Sequence, residues 1–340
     1  MRMKEALLYS KLENNSVRCH VCAHNCRINT GRRGICAVRE NIDGTLFALN
    51  YRKAIAEAVD PIEKKPFFHF FPGTAALSIA TLGCNLRCDN CQNWDISQGS
   101  KGGKTISGHD LSPEAIVDHA VARNCQSIAY TYTEPTIFLE YALETMKLAR
   151  SAGLKNVWVS NGYMSEQTVE LIQPYLDAIN IDLKFFDDKT YLKNCGCHLQ
   201  PVLDNIVRFK KIGCWVEVTT LVIPGLSDSL STFDGISKFL AKKAGPETPW
   251  HLSRFDPDIS YRLTDGVETP VETLERAIDV GQRNGLRYVY IGNIPGHKSE
   301  HTYCPKCGDI AIQRDGYRVT RHDKNGLCPK CKMNINIIQQ

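Results

Sequence analysis

Clustered cysteines are the feature that most constrains this 340-residue chain. There are 15 cysteines, and 11 of them fall into three tight groups, within 19–36, 84–91 and 304–331. The first residues have neither a long apolar core nor a small-residue cleavage site, so we expect no signal peptide. Close CxxC-type spacing without a secretory signal predicts metal sites in a reducing cytoplasm rather than a set of disulfides.

Charge and hydropathy exclude two other classes of protein. The net charge is +4, from 41 basic and 37 acidic residues, which gives no electrostatic argument for nucleic acid or a membrane surface. No apolar run approaches 18 residues, so the sequence predicts no transmembrane span. We therefore expect a cytoplasmic protein that binds neither nucleic acid nor a membrane.

The segment 75–296 alternates short β-rich runs with amphipathic helical runs. The strand-like runs mostly lack a polar face, which suits parallel strands covered on both sides. They lie at 77–82, 127–132, 157–160, 178–183, 215–223, 251–255 and 288–291. This alternation predicts an α/β fold, a partial (β/α)6-type TIM barrel, with small Cys-rich extensions at 1–74 and 297–340.

Three cysteines with the spacing C-x3-C-x2-C follow the first strand of this barrel, at Cys84, Cys88 and Cys91. Three thiolates can hold three irons of a [4Fe–4S] cubane and leave the fourth iron without a protein ligand. That iron can bind S-adenosylmethionine and deliver one electron to its sulfonium, so that reductive cleavage gives a 5′-deoxyadenosyl radical for hydrogen abstraction. A structural zinc knuckle is less favoured, because zinc prefers four protein ligands and no fourth ligand is adjacent.

The cysteines near the C-terminus form two CxxC pairs, Cys304 with Cys307 and Cys328 with Cys331. This is the spacing of a zinc ribbon, in which two knuckles close a tetrahedral four-sulfur site. The interval between them predicts a hairpin with Asp315-Gly316 at its turn. We expect zinc here, with an iron site as the alternative.

The N-terminal group consists of Cys19, Cys22, Cys26 and Cys36. Four thiolates suit either zinc or an auxiliary iron–sulfur cluster, so the spacing leaves the metal open, although the compact set favours zinc. His20 and His24 add alternative ligands. The remaining thiols are interpreted as buried small hydrophobes or incidental thiols: Cys125, Cys195, Cys197 and Cys214.

The central motif, with the segment Gln92-Asn93-Trp94-Asp95-Ile96-Ser97 after it, resembles radical SAM enzymes related to pyruvate formate-lyase activating enzymes. More narrowly, the chain resembles the AmmeMemoRadiSam-system radical SAM enzymes. The further segments that carry the resemblance are Cys19-x2-Cys22-x3-Cys26, 34–36, 130–136, 160–163, 182–184, 219–225, 250–255 and 303–308. The resemblance implies a [4Fe–4S] cluster, S-adenosylmethionine, an electron donor such as flavodoxin or ferredoxin, and Memo-type and AMMECR-type partners.

The resemblance also implies that Tyr132-Thr133-Glu134-Pro135 occupies the place of the Gly-Gly-Glu-Pro segment that binds the methionine amino group. Because Tyr-Thr replaces Gly-Gly, a close backbone approach is less secure here. Glu134 could bind the ammonium directly, or it could cap the helix that starts at Pro135.

Polar residues at the ends of later strands complete the expected S-adenosylmethionine site. Asn161 is expected to face the ribose or the carboxylate, and Lys184 to bind the carboxylate with Asp182 on the same face of its strand. A solvated Asp182–Lys184 salt bridge is the alternative. In the family, a histidine near the position of His251 can contact the nucleotide. A lone histidine on a strand, however, is often a core residue whose hydrogen bonds are made within the protein.

These features predict a radical SAM enzyme that abstracts hydrogen from an unidentified protein or small-molecule substrate. Activation of a glycyl-radical enzyme is the alternative within that class. A different class is a zinc-organised scaffold or binding protein in which all three cysteine groups are structural. The enzyme is favoured because a scaffold has no need of polar motifs at successive strand ends.

Overall fold

The computed structural model describes residues 3–339 and contains 18 strands and eight α-helices in that range. The strands are β1 (Lys4–Glu5), β2 (Tyr9–Lys11), β3 (Val17–Cys19), β4 (Arg27–Ile28), β5 (Arg39–Ile42), β6 (Thr45–Ala48), β7 (Lys53–Pro61), β8 (Ala75–Thr81), β9 (His109–Asp110), β10 (Ser127–Tyr130), β11 (Lys155–Ser160), β12 (Ala178–Asp182), β13 (Trp215–Val222), β14 (Trp250–Arg254), β15 (Val289–Gly292), β16 (Thr302–Tyr303), β17 (Ile310–Asp315) and β18 (Arg318–Arg321). The helices are α1 (Trp94–Ser97), α2 (Pro113–Ala122), α3 (Leu139–Ser151), α4 (Glu166–Ile172), α5 (Asp188–Cys195), α6 (Gln200–Lys211), α7 (Leu230–Phe239) and α8 (Val271–Arg283).

A nine-stranded sheet with the order β15-β14-β13-β12-β11-β10-β8-β7-β9 forms the centre of the molecule. The seven strands from β8 and β10 to β15 run parallel, and they correspond to the seven predicted runs. β7 pairs antiparallel with β8 and was not predicted. Because β7 belongs to the predicted N-terminal extension 1–74, the main sheet crosses that predicted boundary.

Helices connect the parallel strands and cover the sheet, as expected for βα units. α2 begins as predicted, with Ser112 Oγ accepting a hydrogen bond from the Ala115 N–H at 3.2 Å and Pro113 in the first turn. α5 was not predicted; Asp187 caps its start and Gly196 ends it in the left-handed conformation at φ +74°. Within residues 3–339, no helix is long and apolar enough to cross a membrane.

The N-terminal module, residues 3–52, contains two three-stranded sheets, β2-β3-β4 and β1-β6-β5. It is anchored to the main domain through Arg39, whose guanidinium donates to the two carboxylate oxygens of Glu140 at 2.9 and 2.7 Å. Both side chains are buried, and the Leu7 N–H donates to the same carboxylate at 2.7 Å. Because a buried charge is costly unless it is paired, this bidentate contact fixes the module against α3.

The C-terminal ribbon, residues 301–339, contains the sheet β16-β17-β18. The predicted hairpin is present, but Asp315 pairs with Arg318, so its turn is Gly316-Tyr317, one residue later than expected. Arg314 of β17 is fully buried and donates to Phe68 O at 2.7 Å and to Thr302 Oγ1 at 2.8 Å. This ribbon is therefore also anchored to the main domain by one buried arginine.

Candidate active site and metal centres

The cysteine loop, residues 83–91, follows β8 at the carboxyl edge of the parallel strands. Gly83 has φ +110°, and a Cβ there would lie 2.8 Å from Val38 Cγ1 and 3.2 Å from Cys36 O. Glycine therefore lets the loop pack directly on the N-terminal module. On its other side, the Arg87 and Asp89 N–H groups each donate at 3.0 Å to backbone carbonyls at the end of α5.

The three thiols of the loop are oriented by nearby donors. Cys84 Sγ accepts from the Leu86 N–H at 3.4 Å, and Cys91 Sγ lies 3.2 Å from Ser97 Oγ. Burial raises the pKa of Cys84 well above its usual value, whereas a hydrogen bond from Cys195 lowers the pKa of Cys88. The three thiols of the loop fit a cubane that keeps one iron open, with the Cys195 thiol as a hydrogen-bond donor to Cys88.

Glu134 is buried and its carboxylate is engaged by the protein. One oxygen accepts from the Thr136 N–H at 3.1 Å and from Ser160 Oγ at 2.8 Å, and the other accepts from the Asn161 N–H at 2.8 Å. Burial raises the pKa of Glu134, while these hydrogen bonds lower it. The contacts match the capping alternative and also tie together the ends of β10 and β11.

Asn161 lies against the cysteine loop. Its Nδ2 donates to Asn85 Oδ1 at 2.8 Å and lies 3.9 Å from Cys84 Sγ. Asn85 Nδ2 is buried and has no hydrogen-bond partner among the described residues. Asn85, next to Cys84 in the chain, therefore keeps a buried donor that an acceptor atom can satisfy.

Lys184 and Asp182 form an ion pair at the same edge, with Nζ 2.8 Å from Oδ2. Burial alone would lower the pKa of Lys184, but the Asp182 carboxylate and the Cys88 and Cys195 thiols raise it well above its usual value. Lys184 is therefore a stable cation close to Cys88, as a site for a carboxylate requires.

His251 has a different environment from the one its predicted role requires. Its Nε2 donates to Glu217 Oε2 at 2.7 Å, and its ring stacks on Tyr290 with centroids 5.3 Å apart. The side chain is buried inside the sheet, and no contact in the described chain joins it to the cysteine loop. These contacts match the core-histidine alternative.

The structure adds residues that sequence reasoning missed. Cys195, interpreted as an incidental thiol, lies beside Cys88 because the end of α5 folds back on the cysteine loop. Lys101 Nζ donates to Leu86 O at 2.8 Å, so a second lysine supports the loop. The sequence signals were weak: Lys101 follows the motif by ten residues, and Cys195 forms only a Cys-x-Cys pair with Cys197. Both contacts depend on the tertiary fold.

The four C-terminal thiols converge on one point. Their Sγ atoms all lie within 4.8 Å of one another, with Cys304–Cys331 at 3.5 Å and Cys307–Cys328 at 3.6 Å. A Zn–S bond of about 2.3 Å implies a tetrahedral S···S edge of about 3.8 Å. The geometry of this C-terminal quartet therefore fits a single tetrahedral ion.

The four N-terminal thiols instead line one shared pocket, in which apolar side chains predominate. Within residues 3–339, the C-terminal quartet is the only group of three or more metal-ligand side chains whose ligand atoms all lie within 4.8 Å of one another. Both nitrogens of His20 are engaged, at 3.0 Å from Ser10 Oγ and from Asn25 Oδ1. His24 also lines this pocket and its Nε2 donates to Asn85 O at 2.8 Å, so the candidate ligands are the four thiols, here called the N-terminal quartet, and His24 Nδ1.

Comparison with known proteins agrees with this geometry. The family model described as "Radical SAM superfamily" matches residues 78–234, which include the cysteine loop and the strands from most of β8 to β13. Residues 78–234 therefore form a radical SAM domain, the kind of domain that uses S-adenosylmethionine and a [4Fe–4S] cluster, and the chain is an enzyme of that class.

Individual relatives indicate which enzymes of that class this chain is similar to. An uncharacterised protein of Methanocaldococcus jannaschii, MJ0808, is 47% identical over 99% of this chain and all of its own length. The benzylsuccinate synthase activating enzyme of Thauera aromatica is 26% identical over 75% of this chain and 80% of its own. Streptococcus suis SuiB, solved with its precursor peptide SuiA, shares the fold with a TM-score of 0.51 at 13% identity, over 68% of this chain and 51% of its own. The predicted relation to activating enzymes is confirmed.

Proposed function

We propose that Cys84, Cys88 and Cys91 hold the [4Fe–4S] cluster of this radical SAM enzyme. The observation that carries the proposal is the position of the three thiols at the end of β8, where Asn161 and Lys184 approach the same loop. When bound, the cluster and S-adenosylmethionine supply a 5′-deoxyadenosyl radical that abstracts hydrogen from the substrate. The sheet would then act as the partial barrel that encloses this chemistry.

The surrounding side chains receive distinct roles. Lys184 binds the methionine carboxylate, because it is a partly buried cation at the strand ends, and Asp182 orients it. Asn161 offers its amide to the ligand, and Glu134 acts as a positioning residue by holding the Asn161 backbone at 2.8 Å. A nucleotide contact by His251 stays a prediction, and it would require a group already paired with Glu217.

The substrate of the radical is proposed to be a protein. Support comes from the similarity to activating enzymes and from the open order of the sheet, which ends at β15 on one side and at β9 on the other. Activation of a glycyl-radical enzyme is the specific candidate that this similarity favours. Memo-type and AMMECR-type partners, and a flavodoxin or ferredoxin as electron donor in the cytoplasm, complete the proposal.

Zinc is proposed for the C-terminal quartet, because its thiols have the spacing of a single tetrahedral ion. The ribbon would then be a structural or partner-docking element. The three-part organisation 1–74, 75–296 and 297–340 is retained as a proposal, with β7 assigned to the sheet of the central part.

The test is anaerobic S-adenosylmethionine cleavage by the reconstituted full chain with dithionite. Wild type should form 5′-deoxyadenosine, and Cys88→Ala should reduce it to background, while Cys125→Ala should not change it because Cys125 lies outside all three groups. Lys184→Met should raise the KM for S-adenosylmethionine by on the order of tenfold or more, through loss of a charge-assisted contact. Product formation by Cys88→Ala at the wild-type rate would refute the assignment.

A further inference from the structure

We propose that the N-terminal quartet Cys19, Cys22, Cys26 and Cys36 binds a second [4Fe–4S] cluster rather than zinc, and that this cluster exchanges single electrons with the site on the cysteine loop. The identity of the metal rests on sulfur spacing and on the pocket that the thiols line. The electron exchange rests in addition on the proposed function, because it needs a cluster on Cys84, Cys88 and Cys91.

Sulfur spacing separates the two metals. All four thiolates of a zinc site bind one ion, so their sulfurs lie about 3.8 Å apart. The thiolates of a cubane each bind a different iron, so their sulfurs lie roughly 6 Å apart. The C-terminal quartet serves as the reference for a single ion, because its sulfurs lie close together. The cysteine loop serves as the reference for a cluster. Among the described residues, neither the cysteine loop nor the N-terminal quartet forms a group whose ligand atoms all lie within 4.8 Å of one another. The N-terminal thiols therefore resemble the cluster-type loop, not the compact quartet.

The surroundings of the N-terminal thiols support the same choice. The pocket that all four thiols line has an apolar wall to which Val21, Ile28 and Ile137 contribute. Such a wall excludes water from an iron–sulfur core.

Arg39 supplies the polar contact that this apolar wall lacks. It lines the pocket, it is 2% exposed, and its Nε has no hydrogen-bond partner among the described residues, although its terminal nitrogens bind Glu140. A sulfide or thiolate in the pocket would accept from this N–H, and the cation would offset the negative charge of a four-thiolate cluster.

The N-terminal quartet is also in direct contact with the cysteine loop. His24, between Cys22 and Cys26, donates to the carbonyl of Asn85, the residue after Cys84, at 2.8 Å. Cys36 O accepts from Ser100 Oγ at 3.2 Å and faces Gly83 closely. A path through one hydrogen bond and the intervening backbone thus joins a ligand of each site.

The exchange is a one-electron step. The N-terminal cluster passes from its 1+ to its 2+ state as it gives up one electron, and the loop cluster passes from 2+ to 1+ as it accepts that electron. A low-potential one-electron carrier of the ferredoxin or flavodoxin class returns the N-terminal cluster to 1+. No proton or bond is transferred between the two sites.

The first experiment removes the loop site from the full chain with C84A/C88A/C91A. After anaerobic purification, this variant should keep about four irons, four acid-labile sulfides and one zinc per chain, with broad absorption near 400 nm. A variant with no iron and about two zinc ions would overturn the proposal. Wild-type 5′-deoxyadenosine formation measured in parallel tests the proposed function separately, so the two failures are distinguishable.

A second variant guards against loss of folding. C22S/C26S changes two half-buried thiols and should lower the iron content from about eight to about four atoms per chain, with zinc unchanged. The retained zinc of the C-terminal quartet reports that the chain is folded, and Cys125→Ala is the matched thiol control. Unchanged iron with a loss of zinc would overturn the assignment.

Electron paramagnetic resonance tests the contact between the two sites. The spectrum of the fully reduced wild type should show spin–spin broadening that is absent from C84A/C88A/C91A and from C22S/C26S. A wild-type spectrum equal to the sum of the two variant spectra would overturn the proposed electron exchange.

Discussion

The two cysteine quartets contrast most clearly in how the backbone spaces four identical ligands. In the C-terminal ribbon, two CxxC knuckles face each other, and the Gly308 and Lys332 N–H groups close tight turns onto the carbonyls of the first cysteine in each. In the N-terminal module, Ile28 and Arg39 line a pocket shared by four cysteines whose sulfurs form no group within 4.8 Å among the described residues. Ligand type alone does not select the metal; the framework selects it through the distances between sulfurs.

The two modules share one device, a buried arginine that reaches into the main domain. Arg39 binds a carboxylate of α3, whereas Arg314 binds mainly backbone and hydroxyl oxygens, with its Nε 3.7 Å from Glu63. Each arginine keeps an Nε that has no hydrogen-bond partner among the described residues. Only in the N-terminal module does that nitrogen border a cysteine pocket, which makes the anchor also a candidate cluster contact.

The largest expected loss of stability comes from removing one thiol of the C-terminal quartet with Cys328→Ser. The ribbon has a small apolar core, so metal binding should supply much of its folding free energy, on the order of 10 kcal/mol. Zinc content should fall by about one ion per chain, and limited proteolysis should cleave within 301–339. Iron content should not change. Cys214→Ala, a buried thiol outside the three groups, is the control, and full zinc retention by Cys328→Ser would contradict the assignment.

A smaller effect is expected from the anchor of the N-terminal module. Arg39→Met leaves the buried Glu140 carboxylate without its cation and should lower the free energy of unfolding by about 3–5 kcal/mol. Arg33→Met removes a half-exposed partner of Glu40 and should cost less than about 1 kcal/mol. Denaturant unfolding of both variants measures the difference. Equal losses would show that the Arg39 contact is not an anchor.

The smallest effect concerns the contact between the module and the cysteine loop. Gly83→Ala should cost roughly 2–3 kcal/mol, because a positive φ and a clash with Val38 add together. Gly31→Ala also has a positive φ but open space around its Cβ, so it should cost only about 1 kcal/mol. The urea midpoints of the two variants test this. If Gly31→Ala lost as much stability as Gly83→Ala, the contact with Val38 would not contribute to the cost.

Much of the central sheet could be predicted from sequence, because strands covered on both faces are continuous apolar runs such as Ser127–Tyr130. β7 was missed because Lys53–Pro61 mixes charged residues with small apolar ones and lacks such a run. α5 was missed because it is short and polar, and its start depends on the Asp187 cap. Local patterns therefore predicted the interior strands better than the edge of the sheet.

The candidate site shows the same difference between features that local sequence predicts and features that depend on tertiary contacts. The metal-binding roles of the cysteine groups stay predictions, and Asn161 and Lys184 lie at strand ends as the βα pattern requires. The contact of Cys195 with Cys88, and the difference between the two quartets, depend on folding between distant segments. Spacing along the chain carries no information on those distances, so the choice between zinc and a cluster needed the structure.

The metal stoichiometry of the anaerobically purified wild-type chain tests the central claim most directly. One cluster on the loop, a second on the N-terminal quartet and one zinc in the ribbon predict about eight irons, eight sulfides and one zinc per chain. A value of about four irons with two zinc ions would contradict the assignment of the N-terminal quartet, and zinc without iron would contradict the cluster on the loop as well.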